Sequence, residues 1–230
     1  MYEGYDRDAG AQARWDLTNA GNRAIHEERT ARLRPVLPDL PAPVLEVGCG
    51  TGQVLEELAA AGLDLGGGVG LDLSAARLAD AAVRLPAVAC VQAEGSALPL
   101  RDASIGTAVA FTLFSSLLDD ALADGVAREL ARVVRPGGAL LWYDLRRGNP
   151  RNPAVRPWGR DAVAARFPDW TVELTPVTVL PPLARRLGPA GWPRTARLRG
   201  HSGPSPCRPA EGVNRALTIR AKHSAHSKPS

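Results

Sequence analysis

Val44-Leu45-Glu46-Val47-Gly48-Cys49-Gly50-Thr51-Gly52 is the stretch that decides the fold. Its first four residues, apolar except for Glu46, make a short buried strand, and three glycines at alternate positions follow. Without a Cβ, Gly48, Gly50 and Gly52 let the backbone turn sharply and let a ligand come close to it. From Gln53 to Ala61 the pattern is helical, with Leu55, Leu58 and Ala59 on one face and the positive helix N-terminus pointing back at the loop. Strand, glycine loop and helix in that order form the first crossover of an open α/β sheet. Such sheets hold nucleotide-like ligands there, where strand order reverses.

Downstream, the alternation continues. Gly66-Gly67-Gly68 predicts a turn and Val69–Leu73 a second strand. Ser74 predicts the N-cap of a helix over Ala75–Leu85, its hydroxyl accepting from a free amide of the first turn. Val88–Gln92 and Ile105–Leu113 read as the third and fourth strands, and Ala121–Val134 as a helix with Leu122, Val126, Leu130 and Val133 inward. Arg135-Pro136-Gly137-Gly138 is expected to stop that helix, with a fifth strand over Ala139–Asp144. Thr171–Leu180 predicts a sixth, which Pro176 restricts to an edge or a bulge. Upstream, Ile25, Arg29, Leu33 and Leu37 recur at four-residue spacing, as on one face of a helix. Strands alternating with helices predict a Rossmann-like, doubly wound, mostly parallel α/β sheet. The chain divides into residues 1–40 as an N-terminal helical lid, 41–185 as the sheet domain, and 186–230 as a basic Pro/Gly/Ser-rich tail, expected to be disordered.

A chain of 230 residues, 45% hydrophobic and 23% charged, has enough apolar surface for a substantial core, which excludes wholesale disorder and a fibrous protein. Its three cysteines, Cys49, Cys90 and Cys207, are too few and too scattered for a disulfide framework or a zinc ribbon, and no metal site is expected. The charged start lacks the apolar core of a secretory signal, and Ala108–Leu118 is too short to span a bilayer. A cytoplasmic protein is therefore expected. The net charge of +4 is unevenly placed: from Arg185 onward there are ten Lys/Arg against one acidic residue, a net +9, whereas the preceding residues total −5. Both lysines and three of the four histidines also lie in that tail. The change in residue usage fits a reading-frame change near residue 187, a disordered extension, or an ordered return strand over Ala216–Ala221.

Spacing in the glycine loop discriminates between ligands. A dinucleotide loop needs G-x-G-x-x-G, but after Gly48 and Gly50 the third position is Gln53. No Gly-Lys-Ser/Thr follows, so the loop is not a P-loop. An acidic residue, Glu46, two positions before the first glycine suits a ligand carrying an ammonium group. Asp72, at the end of the second strand and twenty residues after Gly52, is placed to accept the two hydroxyls of a ribose.

VLEVGCGTGQ, VGLDLS, QAEGSALPLRDAS and ELARVVRPGGALLWYD, in that order over about residues 40–145, resemble the successive motifs of class I S-adenosylmethionine-dependent methyltransferases, and of small bacterial methyltransferase-domain proteins in particular. The resemblance implies a seven-stranded sheet, here with its last strand in question, and S-adenosylmethionine as cofactor. It implies that Glu46 and the loop Gly48, Cys49, Gly50 and Gly52 hold the methionine part and Asp72 the ribose. Leu73 would pack on the purine, Glu94, Gly95 and Ser96 would form the adenine rim, and Phe111 and Thr112 would face the sulfonium. Family members often carry Asp where this chain has Gly106 and Glu94; Gly106 is expected to serve the structure.

The acceptor is less legible. Phe111-Thr112-Leu113-Phe114-Ser115-Ser116 lacks the Asn/Asp-Pro-Pro-aromatic pattern of amino-methylating nucleic-acid enzymes, and Cys49 and Cys90 read as packing residues. His26 reads as a surface or satisfied histidine. Asp144, Arg146 and Arg147 are candidates for an acceptor-binding wall, and Tyr5 and Trp15 for substrate-facing residues of the N-terminal segment. The expected activity is methyl transfer to a small molecule by in-line displacement, with no catalytic residue identified. A nucleic-acid methyltransferase or RNA-binding protein using the basic tail, and a non-catalytic partner of the same fold, are the alternatives.

Overall fold

A computed structural model describes residues 18–145 and 155–173. Helix α1 (Ala20–Leu33) starts at Asn19, whose side chain accepts from the amides of Gly21 and Asn22. It buries Ile25, Arg29 and Leu33, so this part of the N-terminal segment packs as a core helix. Pro35 and Pro38 follow its end, and Leu37, the next residue of the four-residue series, is buried in a 3-10 turn (Leu37–Asp39).

Strand β1 (Val44–Val47) leads into α2 (Gln53–Ala60), β2 (Val69–Asp72), α3 (Ala75–Arg84), β3 (Ala89–Gln92) and β4 (Ile105–Phe111). A 3-10 turn (Phe114–Ser116) joins β4 to α4 (Asp120–Val133), which runs into β5 (Val134–Tyr143); α5 (Arg160–Ala164) is the last element of the described residues. All strand pairs are parallel, in the order β3-β2-β1-β4-β5. The chain thus winds outward from β1 to β3, then returns to the other side of β1, placing the reversal between β1 and β4. The expected sixth strand is not formed at residues 171–173, and its remainder lies outside the described residues.

Alternation along the inner strands builds two cores. Leu45, Val47, Ala108, Ala110, Leu140 and Trp142 join α4 and α5 on one face. Val44, Val109, Phe111, Leu141 and Tyr143 join α1 and α2 on the other. Strand and helix periodicity therefore delivered the sheet largely as expected, including the Ser74 cap, which accepts from the Arg77 amide.

One expectation is corrected. Arg135-Pro136-Gly137-Gly138 does not separate helix from strand, because β5 begins at Val134. Register passes from Ile105–Val134 to Thr107–Ala139, leaving those four residues as a bulge opposite Gly106. Gly137 takes the left-handed conformation at φ +78°, and Gly138 has no room for a side chain: a Cβ there would lie 2.6 Å from the Gly106 carbonyl oxygen. Gly106 serves the structure as expected, since its Cβ would meet the Pro41 and Ala42 carbonyl oxygens at 2.3 and 2.5 Å.

Candidate functional site

The glycine loop closes the carboxyl end of β1. Gly48, Gly50 and Gly52 all have positive φ, from +53° to +79°, which explains the residue type at each. Their surroundings differ, and this narrows the sequence reading. A Cβ on Gly48 would sit 3.2 Å from Leu113 Cδ1, and one on Gly52 would clash with Leu85 at 2.8 Å and press on Ala81. Those two glycines admit protein neighbours. Gly50 alone faces open space, with nothing within 4 Å of its would-be Cβ.

Asp72 organises the loop. Its Oδ2 accepts from the Gly50 amide at 2.8 Å and its Oδ1 from the Ser74 amide at 2.9 Å. Each carboxylate oxygen can accept a second bond, so the residue can hold the loop and still receive two hydroxyls. Leu73 beside it is 43% exposed, an uncovered apolar side chain at the sheet edge suited to a flat base. Across the crevice, Ser96 Oγ donates to the exposed Glu94 at 2.7 Å, while Gly95 packs closely on Val47.

Glu46 is buried on the α1/α2 side. Burial pushes its carboxyl well above the usual range; the negative charges of Asp72 and Glu57 add to this, and the charge of Arg29 and the Leu55 amide oppose it. Its Oε2 has no hydrogen-bond partner. Phe111 is buried against Tyr143, with the Arg29 guanidinium above both rings. Thr112 is half-buried in the left-handed region at φ +51°, where a β-branched residue is strained, and its amide donates to the Tyr143 carbonyl. Cys49 packs over Gly70, and burial pushes its thiol up, away from nucleophile character.

Asp144 does not stand on an open wall. It is 2% exposed, and its two oxygens accept from the amides of Ser115 and Leu145, at 2.9 and 2.8 Å, so that it caps the turn after β4. Burial pushes its carboxyl up to about 6, which the Ser115 bonds oppose. Arg146, Arg147, Tyr5 and Trp15 lie outside the described residues. No group of His, Cys, Asp and Glu suited to a metal ion occurs among the described residues.

The sequence reading missed two residues. Leu113 lies against Gly48 of the glycine loop. Arg29, on α1, lies buried over Phe111 and Tyr143 and pairs with Glu57; its signal was present, since it occupies an apolar place in the Ile25–Leu37 series.

The model of a methyltransferase domain family matches residues 44–138, the segment that builds this crevice. Over 98 residues the chain is 35% identical to a probable S-adenosylmethionine-dependent methyltransferase of Mycobacterium tuberculosis, covering 43% of this chain and 34% of that protein. It is 36% identical, also over 98 residues, to a protein of the same description from Mycolicibacterium smegmatis, covering 43% of this chain and 36% of that one. Over residues 44–138 the chain is similar to S-adenosylmethionine-dependent methyltransferases.

The chain spans about a third of the length of the curated relatives it matches. Its fold is that of a Thermotoga maritima protein described as a possible histamine N-methyltransferase, with a TM-score of 0.61 at 17% identity over 97% of this chain and 100% of that one. It is also that of a (4+2)-cyclase, SpnF, with a TM-score of 0.54 at 22% identity over 66% of this chain and 61% of that one. The same architecture therefore serves more than one chemistry, and the site rather than the fold must carry the function. The residues present fit S-adenosylmethionine on two local grounds: the open space at Gly50 and the unpartnered oxygen of the buried Glu46. No helix of the described residues is long and apolar enough to cross a membrane.

Proposed function

We propose that the chain transfers a methyl group from S-adenosylmethionine to a small-molecule acceptor in the cytoplasm. The observation that carries this reading is the glycine of the loop with open space at its would-be Cβ, Gly50, tied to Asp72, the residue suited to the ribose. Glu46, the loop backbone and Arg29 would hold the amino-acid end, Asp72 the ribose, Leu73 one face of the purine, and Glu94 to Ser96 its rim. When bound, the cofactor supplies a methyl group on a positively charged sulfur, open to in-line displacement. The chain's own contribution is then orientation and exclusion of water by Leu113, Thr112 and the buried Phe114 turn. No acid–base pair is required where the acceptor atom already carries a free lone pair.

Two features favour a small acceptor over a nucleic acid. The residues before Arg185 total −5, and the turn after β4 presents Leu113 and half-exposed Leu118 rather than a basic surface. The experiment is titration of the full chain with labelled S-adenosylmethionine, followed by turnover across amine, hydroxyl and carboxylate acceptors. Saturable binding that Asp72→Ala abolishes is expected; absence of binding by the wild type would end the proposal. The basic tail supports the nucleic-acid alternative, in which affinity for RNA should fall steeply with salt and vanish on deleting residues 186–230.

A further inference from the structure

Cys49 and Cys90 are far apart in the sequence and neighbours across the sheet, and both are free thiols. Gly70 brings them together. It is the register partner of Cys90 on β3, and residues paired in adjacent strands, about 4.8 Å apart, direct their side chains to the same face. The side-chain position that Gly70 leaves empty is filled by Cys49: a Cβ on Gly70 would lie 3.0 Å from Cys49 Sγ and 3.5 Å from Cys49 Cβ. A methyl carbon of Val88, two residues before Cys90 on that face, comes next at 3.8 Å. Cys49 Sγ therefore takes the place beside the Cys90 side chain that a residue on β2 would otherwise hold. The two sulfurs are close enough for Cys90 to act electrostatically on the Cys49 thiol.

We propose that this pair is a site of oxidative modification: a disulfide between Cys49 and Cys90 draws the glycine loop out of its ligand-holding shape, and reduction restores it. The consequence for binding rests on the S-adenosylmethionine reading of the crevice; the crosslink itself does not. Exposure orders the two thiols. Cys49 is 6% exposed, whereas Cys90, on the outermost strand of the described sheet, is half-buried, so an oxidant meets Cys90 first. With hydrogen peroxide, the Cys90 sulfur attacks one peroxide oxygen, the O–O bond breaks, and the departing hydroxide leaves as water with the thiol proton. The Cys49 sulfur then attacks the sulfenic sulfur of Cys90. The S–S bond forms, the S–O bond breaks, and the second hydroxide leaves as water with the Cys49 proton. Two thiols lose two electrons and one peroxide gains them. Burial pushes both thiols up, which slows the chemistry, and the second step gains from the sulfurs being held together. The loop can follow. Cys49 lies between Gly48 and Gly50, residues with the widest backbone freedom. The Gly50 amide is bound to Asp72 Oδ2 at 2.8 Å, so drawing Cys49 toward β3 strains the bond that ties the loop to the residue suited to the ribose.

The test uses the full chain with Cys207→Ser, which leaves this pair as its only thiols. After hydrogen peroxide, mass spectrometry of a non-reduced digest should show the peptides of Cys49 and Cys90 joined, with the loss of two hydrogens. Calorimetric affinity for S-adenosylhomocysteine should fall by about tenfold or more on oxidation and return with dithiothreitol. Cys90→Ser in the same background should bind as the reduced chain does, both before and after peroxide; binding beforehand also shows that it is folded. Peptides left unjoined, whether the thiols are unreacted or carried to sulfinic acid, overturn the crosslink. Joined peptides with unchanged affinity, or an equal loss of affinity in Cys90→Ser, overturn its hold on the loop. A reduced chain that binds no S-adenosylhomocysteine overturns the cofactor reading, and the joined peptides then decide the crosslink by mass alone.

Discussion

Asp72 Oδ2 accepts the Gly50 amide at 2.8 Å, joining the end of β2 to the one glycine of the loop with nothing within 4 Å of a would-be Cβ. Truncating Asp72 therefore removes more than a ribose acceptor. Asp72→Ala leaves the Gly50 and Ser74 amides without their partner, at a cost to stability of about 1–3 kcal/mol. Hydrogen exchange should quicken at Gly50 and Ser74 in the absence of any ligand; unchanged exchange at both would refute the bracing role.

Glycines 50 and 106 should respond to alanine in opposite ways. Gly106→Ala drives a methyl group into two backbone carbonyls, which cannot rotate away, and should cost about 2 kcal/mol or more in urea unfolding. Gly50→Ala meets no neighbour and carries only the left-handed backbone penalty, about 1–2 kcal/mol, but it should block cofactor binding by filling the open space. Retained binding in Gly50→Ala would remove that space from the site.

Asp144 sets a pH dependence. Its carboxyl is pushed up to about 6 in the folded chain, from an ordinary 3.8, so the folded state holds its proton through a range where the unfolded state has lost it. Stability from this group must fall as pH rises between those values, by about 3 kcal/mol at most, and stay low above them. Unfolding at about pH 4 and about pH 7 should show a larger loss for wild type than for Asp144→Asn, which has no charge to bury. Equal losses would contradict the assignment.

Arg132 on α4 holds the segment before β4. It donates to the carbonyls of Leu98 and Leu100, at 3.0 and 2.8 Å, and pairs with Asp102 and Glu129; Glu129 in turn accepts the Leu98 amide. Arg132→Met should cost about 1–3 kcal/mol and raise hydrogen exchange across residues 97–104. A stability loss with no local change in exchange would point to α4 alone.

Much of this was readable from residue order. The glycine spacing, Asp72 and the Ser74 cap are local signals, acting within a few residues of where they are written. The use of each glycine was not readable, because Gly48 and Gly52 make room for Leu113 and Leu85, which arrive from other elements. Asp144 looked like a wall residue because it follows a strand at the ligand edge; only the turn after β4, folded back onto it, buries it. The Arg135–Gly138 stretch carries every local sign of a turn, yet it lies inside a strand as a bulge, where Gly138 lacks the side chain that would meet the Gly106 carbonyl.

By itself, the sequence determined the parallel sheet, the glycine loop and the acidic residues at the ends of β1 and β2, because strand alternation, helix periodicity and positive φ are properties of short stretches. Only the tertiary structure decided what surrounds Arg29. A charge among apolar residues on a helix has no meaning until packing brings it over Phe111 and Tyr143, beside Glu57, and into electrostatic reach of Glu46. Electrostatic partners depend on distance in space, and no periodicity along the chain encodes it.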